Sequence, residues 1–355
     1  LRSRWYGLLS FPSLKHTTNK FSVLPGAIFV ITSWYKQYET ASRVSLFYMS
    51  SVVASAFGPI LAYVFSLIRV SDSDSKYNSG WRWIFIIEGA VTVIVGVAAL
   101  FFLADFPEKA KWLTERERHI AIRRVRVDES KKVYTHPTLK ETFSMMKDWK
   151  LIVYCLQYFI ATSSVYSLTY FKSIILQKGL GFDYTKAQLL AAPPYLFAVV
   201  MSLIMAWISD KYRIRWQILC LQGVIGAIGL LILLYVTSEP YVQYFGLFLA
   251  VFGTQGNIPG TLAYGQNQTP RPEKKGVVSA VMITIGAAGG VCGSTIFRSQ
   301  DAPRYIPGMW STIGMILLYT VVTFCMSMYF KKQNRLADEG KRPALEGVEG
   351  FRYAV

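Results

Sequence analysis

One stretch restricts the fold of this chain more than any other. From Trp83 to Ala104 it carries a single charge, Glu88. At about 1.5 Å per residue, that run crosses a hydrocarbon core about 30 Å thick as an α-helix. Trp81 and Trp83 open it as interfacial aromatics, and Asp105 and Pro107 close it before a charged segment. Seven more apolar runs follow the same pattern: Ser45–Ile68, Leu151–Phe171, Ala187–Ser209, Trp216–Ser238, Tyr241–Tyr264, Gly276–Phe297 and Tyr305–Phe330. A shorter one, Phe21–Tyr35, reaches only about 22 Å and reads as the inner part of a span. Barrel strands would show about ten alternating residues each, which these runs do not. The expectation is an all-α polytopic membrane protein with eight full transmembrane helices and one partial.

The formal net charge of +17 raises the question of a nucleic-acid partner. The basic residues, however, lie in short loops between spans, where the positive-inside rule places them. A lipid bilayer is therefore the expected partner, and nucleic acid is not. The loops 36–43, 105–150, 210–215 and 271–275, with the tail from Lys331, hold 26 Lys and Arg. The alternating set, counted with the ends of its flanking spans, holds 8. This asymmetry puts the first set and the C-terminus in the cytosol, with the plasma membrane as the expected location. The four cysteines lie singly in separate apolar runs without metal-ligand spacing, so neither a metal nor a cofactor is expected.

Residues 1–20 are irregular, and 21–104 read as the remainder of an N-terminal helix bundle. Residues 105–150 form a linker, 151–330 a six-helix bundle and 331–355 a tail. Within the linker, Thr114 to Glu117 and Thr138 to Glu141 each fit a capping box, so two short surface helices are expected. Three spans precede the linker and six follow it. A transporter of two six-helix halves would have six and six. Three spans are accordingly expected to be absent at the N-terminus, with 21–35 as the fourth. In the run 276–297, Gly286–Gly290 and Gly289–Gly293 are small-xxx-small pairs that permit close helix packing.

Several motifs now converge. Pro25-Gly26 precedes Trp34-Tyr35, and Arg43 follows in the next loop. Trp81 to Gly89 reads Trp-Arg-Trp-Ile-Phe-Ile-Ile-Glu-Gly. Asp105–Glu108 then leads into Trp112–Arg118. Later come Pro193-Pro194-Tyr195 and the segment Ala302–Gly308. Across residues 24–332 this set resembles the major facilitator superfamily, and within it the fungal anion:cation symporter branch of allantoate, nicotinate and pantothenate permeases. The resemblance implies a secondary active transporter, not an enzyme, that moves a small organic anion together with a proton and works as a monomer. It also implies a cavity lined chiefly by the family's first, fourth, seventh and tenth helices. Asp210, Arg213 and Arg215 resemble the superfamily's cytosolic loop motif, whose charges can latch one face of the transport cycle.

Candidate residues follow from that frame. The seventh helix offers Tyr158, Thr162, Ser163 and Tyr166 at three-to-four-residue spacing, a stripe that either lines the cavity or packs on neighbouring helices. The tenth offers Gln255 and Asn257 beside Gly253, Gly256 and Pro259, where a break at mid-depth is expected to expose polar groups to a cavity. Arg43, Glu88, Asp210, Arg213 and Arg215 are the gating or coupling candidates. Glu88 is the sole acid within a span, although its place near the outer end favours a packing role over proton carriage. His16, His119 and His136 all lie outside the apolar runs, which disfavours a membrane enzyme. A shortened, non-transporting form of such a permease is the other alternative.

Overall fold

Once in lipid, an apolar run must satisfy its own backbone groups, and helices are what these runs become. The computed structural model describes residues 30–31, 34–35, 40–66, 81–102, 113–126, 144–179, 183–236, 239–270, 272–301, 305–341 and 344–354. The long helices are α1 (Thr40–Ser66), α2 (Trp81–Phe102), α4 (Trp149–Ile174), α6 (Ala192–Tyr212), α7 (Arg215–Tyr235), α10 (Pro272–Thr295) and α11 (Ile306–Asp338). Each of these seven is long and apolar enough to cross a membrane. Shorter helices are α3 (Glu115–Arg126), α5 (Tyr184–Leu190), α8 (Pro240–Gln255) and α9 (Asn257–Asn267). The expected run Tyr241–Tyr264 is carried by α8 and α9, which meet at Gly256, whose backbone stays in the right-handed helical region and whose amide bonds to the Phe252 carbonyl. The partial span at 21–35 and the capping box at 138–141 lie outside the described residues, apart from 30–31 and 34–35.

Local chemistry sets several of the ends. The Thr114–Glu117 box forms as expected: the Thr114 amide and hydroxyl donate to Glu117 at 3.0 and 2.8 Å, and α3 starts there. These hydrogen bonds lower the Glu117 carboxyl pKa. Pro occupies the first turn of α6, α8 and α11, where its missing N–H costs nothing. Arg213, at φ 59, ends α6 in the left-handed region and turns the chain directly into α7.

Two apolar clusters hold the bundle together. One gathers Leu168, Phe171, Tyr195, Leu247 and Ile313, with the Phe171 ring stacked on Phe297 at 4.3 Å. The other, toward the end carrying Asp210, gathers Tyr154, Tyr264, Met282 and Phe330. Glycines bring helix axes together at two seams. A Cβ on Gly226 would lie 3.2 Å from the backbone of Gly253, and one on Gly289 only 2.5 Å from the Phe159 carbonyl oxygen. The first seam joins α7 to α8, and the second joins α4 to α10.

The end of the chain folds back onto the bundle. Ala344–Leu345 pairs with Val348–Glu349 through a two-residue turn in which Glu346 and Gly347 both have positive φ. Glu346 accepts from Lys150 and from Lys274, the latter at 2.8 Å, and Lys274 also reaches Asp148 at 2.6 Å. Burial alone would raise the Glu346 carboxyl, but the two lysines hold it at about 2. Burial pushes the Tyr353 phenol up to about 12. Tyr353 and Ala354 are buried, and each is held by a reciprocal pair of hydrogen bonds, to Asn334 and Gln268 respectively.

Candidate functional site

One set of polar side chains lies between α1, α4 and α6. Tyr48 comes from α1, Tyr158 and Tyr166 from α4 and Tyr195 from α6, and the last three phenols lie within electrostatic reach of Tyr48. Tyr195 follows the two prolines that start α6 and is buried. Its hydroxyl donates to Thr169 Oγ1 at 3.2 Å and also meets the Gln255 side chain.

Above the Tyr195 ring sits Lys172. Its Nζ lies 4.0 Å from the ring centroid and donates to the Ser55 carbonyl oxygen at 3.3 Å. Sequence explains why that carbonyl is available. The residue four positions on is Pro59, which has no N–H to close the helical bond. Lys172 is only 5% exposed and lies inside α4, since the helix continues through it to Ile174 and then a π turn at Ile175–Gly179. Hydropathy reading missed it because the apolar run stops at Phe171, which makes a following lysine look like loop. The helical period running on without Gly or Pro was the signal.

A second polar group lies at the basic end of the same seam. Asp210, near the end of α6, accepts from the Ser42 amide at 2.8 Å and from the Ser42 hydroxyl at 2.6 Å. Ser42 is in the first turn of α1, where helical N–H groups have no internal partner and a carboxylate is favoured. Arg215 pairs with the other carboxylate oxygen at 3.3 Å and is buried. Arg43 is within charge range of the same carboxylate and stacks over Tyr35 at 4.4 Å. Arg213 is exposed on the turn.

The α4 candidates also border α10. Ser163 donates to the Gly289 carbonyl at 2.8 Å, and Thr162 bonds back to the Tyr158 and Phe159 carbonyls, so both face the glycine stripe of α10. Tyr158 and Tyr166 touch that stripe as well, at Gly286 and Gly290. Asn257 donates to the Gly253 carbonyl at 2.8 Å, while its Oδ1 is buried without a recorded partner. A cavity of about 30 Å³ between α1, α6, α7 and α9 is lined by Ser45, Ser202, Ser209, Arg215 and Gln222. Glu88 is exposed on α2.

Comparison with known proteins gives this bundle its class. The family model described as Major Facilitator Superfamily matches residues 22–294. The chain belongs to the major facilitator superfamily, and it is an integral, multi-pass membrane protein of a transporter family. It is 31% identical over 335 residues to the MFS transporter prlL of a fungal species (strain NRRL 50135), covering 93% of this chain and 66% of that protein. It is 30% identical over 318 residues to the major facilitator-type transporter hxnP of Emericella nidulans, covering 88% of this chain and 63% of that protein. The chain therefore spans less than two thirds of the length of these relatives. Among solved structures, the proton:xylose symporter XylE superposes with a TM-score of 0.63 at 14% identity, over 85% of this chain and 67% of that one. The human organic anion transporter MFSD10 superposes with a TM-score of 0.54 at 12% identity, over 84% and 67%. Both likenesses concern the fold.

Proposed function

We propose that this chain is the larger part of a proton-coupled symporter for a small organic anion. The observation that carries the reading is the clasp at Asp210. One carboxylate holds the first turn of α1 and the Arg215 guanidinium together, so it ties the helices before the linker to those after it. A carrier that exposes its cavity to each side in turn needs such a contact to form and break. In this reading the clasp faces the cytosol, Gln255 and Asn257 contribute to the cavity, and three helices belonging to the longer protein complete it.

Energetics supports the proton. An anion entering a negative-inside compartment works against about 2.3 kcal/mol per charge per 100 mV. Accumulation therefore requires a co-moving cation, and an inward proton gradient supplies one.

The test is uptake of labelled carboxylates by cells lacking their own permeases, using the protein restored to the length of its relatives. Accumulation should be greater at about pH 5 than at about pH 7 and should collapse with a protonophore. Asp210→Asn and Arg215→Ala should slow uptake while insertion is unchanged. Protonophore-insensitive accumulation would remove the coupling, and unaltered rates in both variants would reduce the clasp to ordinary loop charge.

A further inference from the structure

We propose that Lys172 is the anion-recognition group of this protein, and that its ligand class is a carboxylate on an aromatic body. The proposal rests on the organic-anion reading above and names the site for it.

The first argument is charge balance. A lysine 5% exposed within a membrane helix is costly unless something compensates its charge. Among the described residues, the recorded partners of Lys172 are a carbonyl oxygen and an aromatic face. Both favour the ammonium over the amine, since one offers a lone pair and the other the negative face of a π system. Neither carries a charge. The ammonium is thus oriented but not neutralised, and its third N–H has no recorded acceptor.

The second argument concerns the surroundings. The ring under the ammonium belongs to Tyr195, whose hydroxyl is fixed by Thr169 and Gln255. Tyr48 and Tyr158 lie beside it, Tyr158 and Tyr195 both buried, so the ammonium is bordered by aromatic rings with polar tips. A carboxylate placed on Lys172 would leave its body against those rings. The third argument is the Ser55 carbonyl, which Pro59 leaves without a helical donor and which is the acceptor a carboxylate would displace. Binding would replace the tie between α1 and α4 with a tie to ligand, so occupancy and the parting of these helices are one event.

The test uses the full 355-residue chain in lipid nanodiscs, with labelled benzoate as probe and neutral benzamide as control. The native chain should bind benzoate in preference to benzamide. Lys172→Met, which keeps length and apolar bulk, should weaken benzoate at least about tenfold and leave benzamide unmoved. Lys172→Arg should restore most of the loss, which a purely structural role would not predict. Folding of each variant is checked by its thermal transition. Equal benzoate affinity in the native chain and Lys172→Met overturns the proposal, and so does absence of benzoate binding to the folded native chain. Proton-coupled uptake that persists in the lengthened Lys172→Met protein would sink this site while sparing the transport reading. Uncoupled uptake with intact Lys172-dependent binding would do the reverse.

Discussion

Two lysines stand at opposite ends of α4 and are treated in opposite ways. Lys150 is saturated: Glu346 takes its charge, and the Tyr353 hydroxyl accepts at 2.8 Å. Its neighbour Lys274 shares the same carboxylate and adds Asp148. Lys172 is held instead by a carbonyl and a ring. The first cluster is balanced in charge, two lysines against two carboxylates, and it seats residues 344–354. Among the described residues, no carboxylate stands beside Lys172. Having charged partners, more than burial, separates a structural lysine from a receptive one.

Substitution can break or sharpen this contrast. The largest effect on stability is expected from Glu346→Gln, which leaves Lys150 and Lys274 without their shared counter-charge. With the carboxyl at about 2 against an ordinary 4.5, its contribution is worth about 3 kcal/mol. That contribution is fully present above about pH 4.5 and disappears as pH falls toward about 2. The variant should therefore show protease-sensitive residues 344–354 at neutral pH and little further change on acidification. A native chain whose C-terminal segment stays protected down to about pH 2 would contradict this account.

Lys150→Met should cost less, about 2 kcal/mol, because Lys274 still neutralises Glu346. Chemical denaturation in matched nanodiscs measures it, and a loss equal to that of Glu346→Gln would mean that Lys274 contributes nothing. Lys172→Met should have the smallest effect, within about 1 kcal/mol of the native chain and in either direction, since an apolar isostere removes a buried charge that has no opposite partner. A loss as large as that at Lys150 would place the two lysines in the same class.

Much of the architecture was legible because hydropathy and local chemistry act over short distances. The apolar runs, the Thr114–Glu117 box, the glycine stripe facing α4 and the junction near Gly256 all depend on residues a few positions apart. The Glu346 cluster joins residues separated by 196 and 72 positions, and no local pattern announces such a pairing. Lys172 was hidden for another reason: a sequence window gives a charge beside an apolar run to the loop. Thr162 and Ser163 had the polarity of cavity residues, but their neighbours proved to be glycines whose bare backbone offers hydrogen-bond acceptors. Asp210 was legible as a charge, while its partner Ser42 was not.

The junction at Gly256 has a mechanical meaning. Up to Gln255, α8 is welded to α7, because Gly226 and Gly253 leave no room for either backbone to slide. Beyond it, α9 packs against α1, α4 and α10 as well as α7. The two arms of one apolar run share α7 and α4 as neighbours, while α8 packs on α6 and α9 on α1 and α10. Movement of α1 would reach α9 directly and α8 by way of α6, and Gly256, which carries no side chain, stands where the two arms meet.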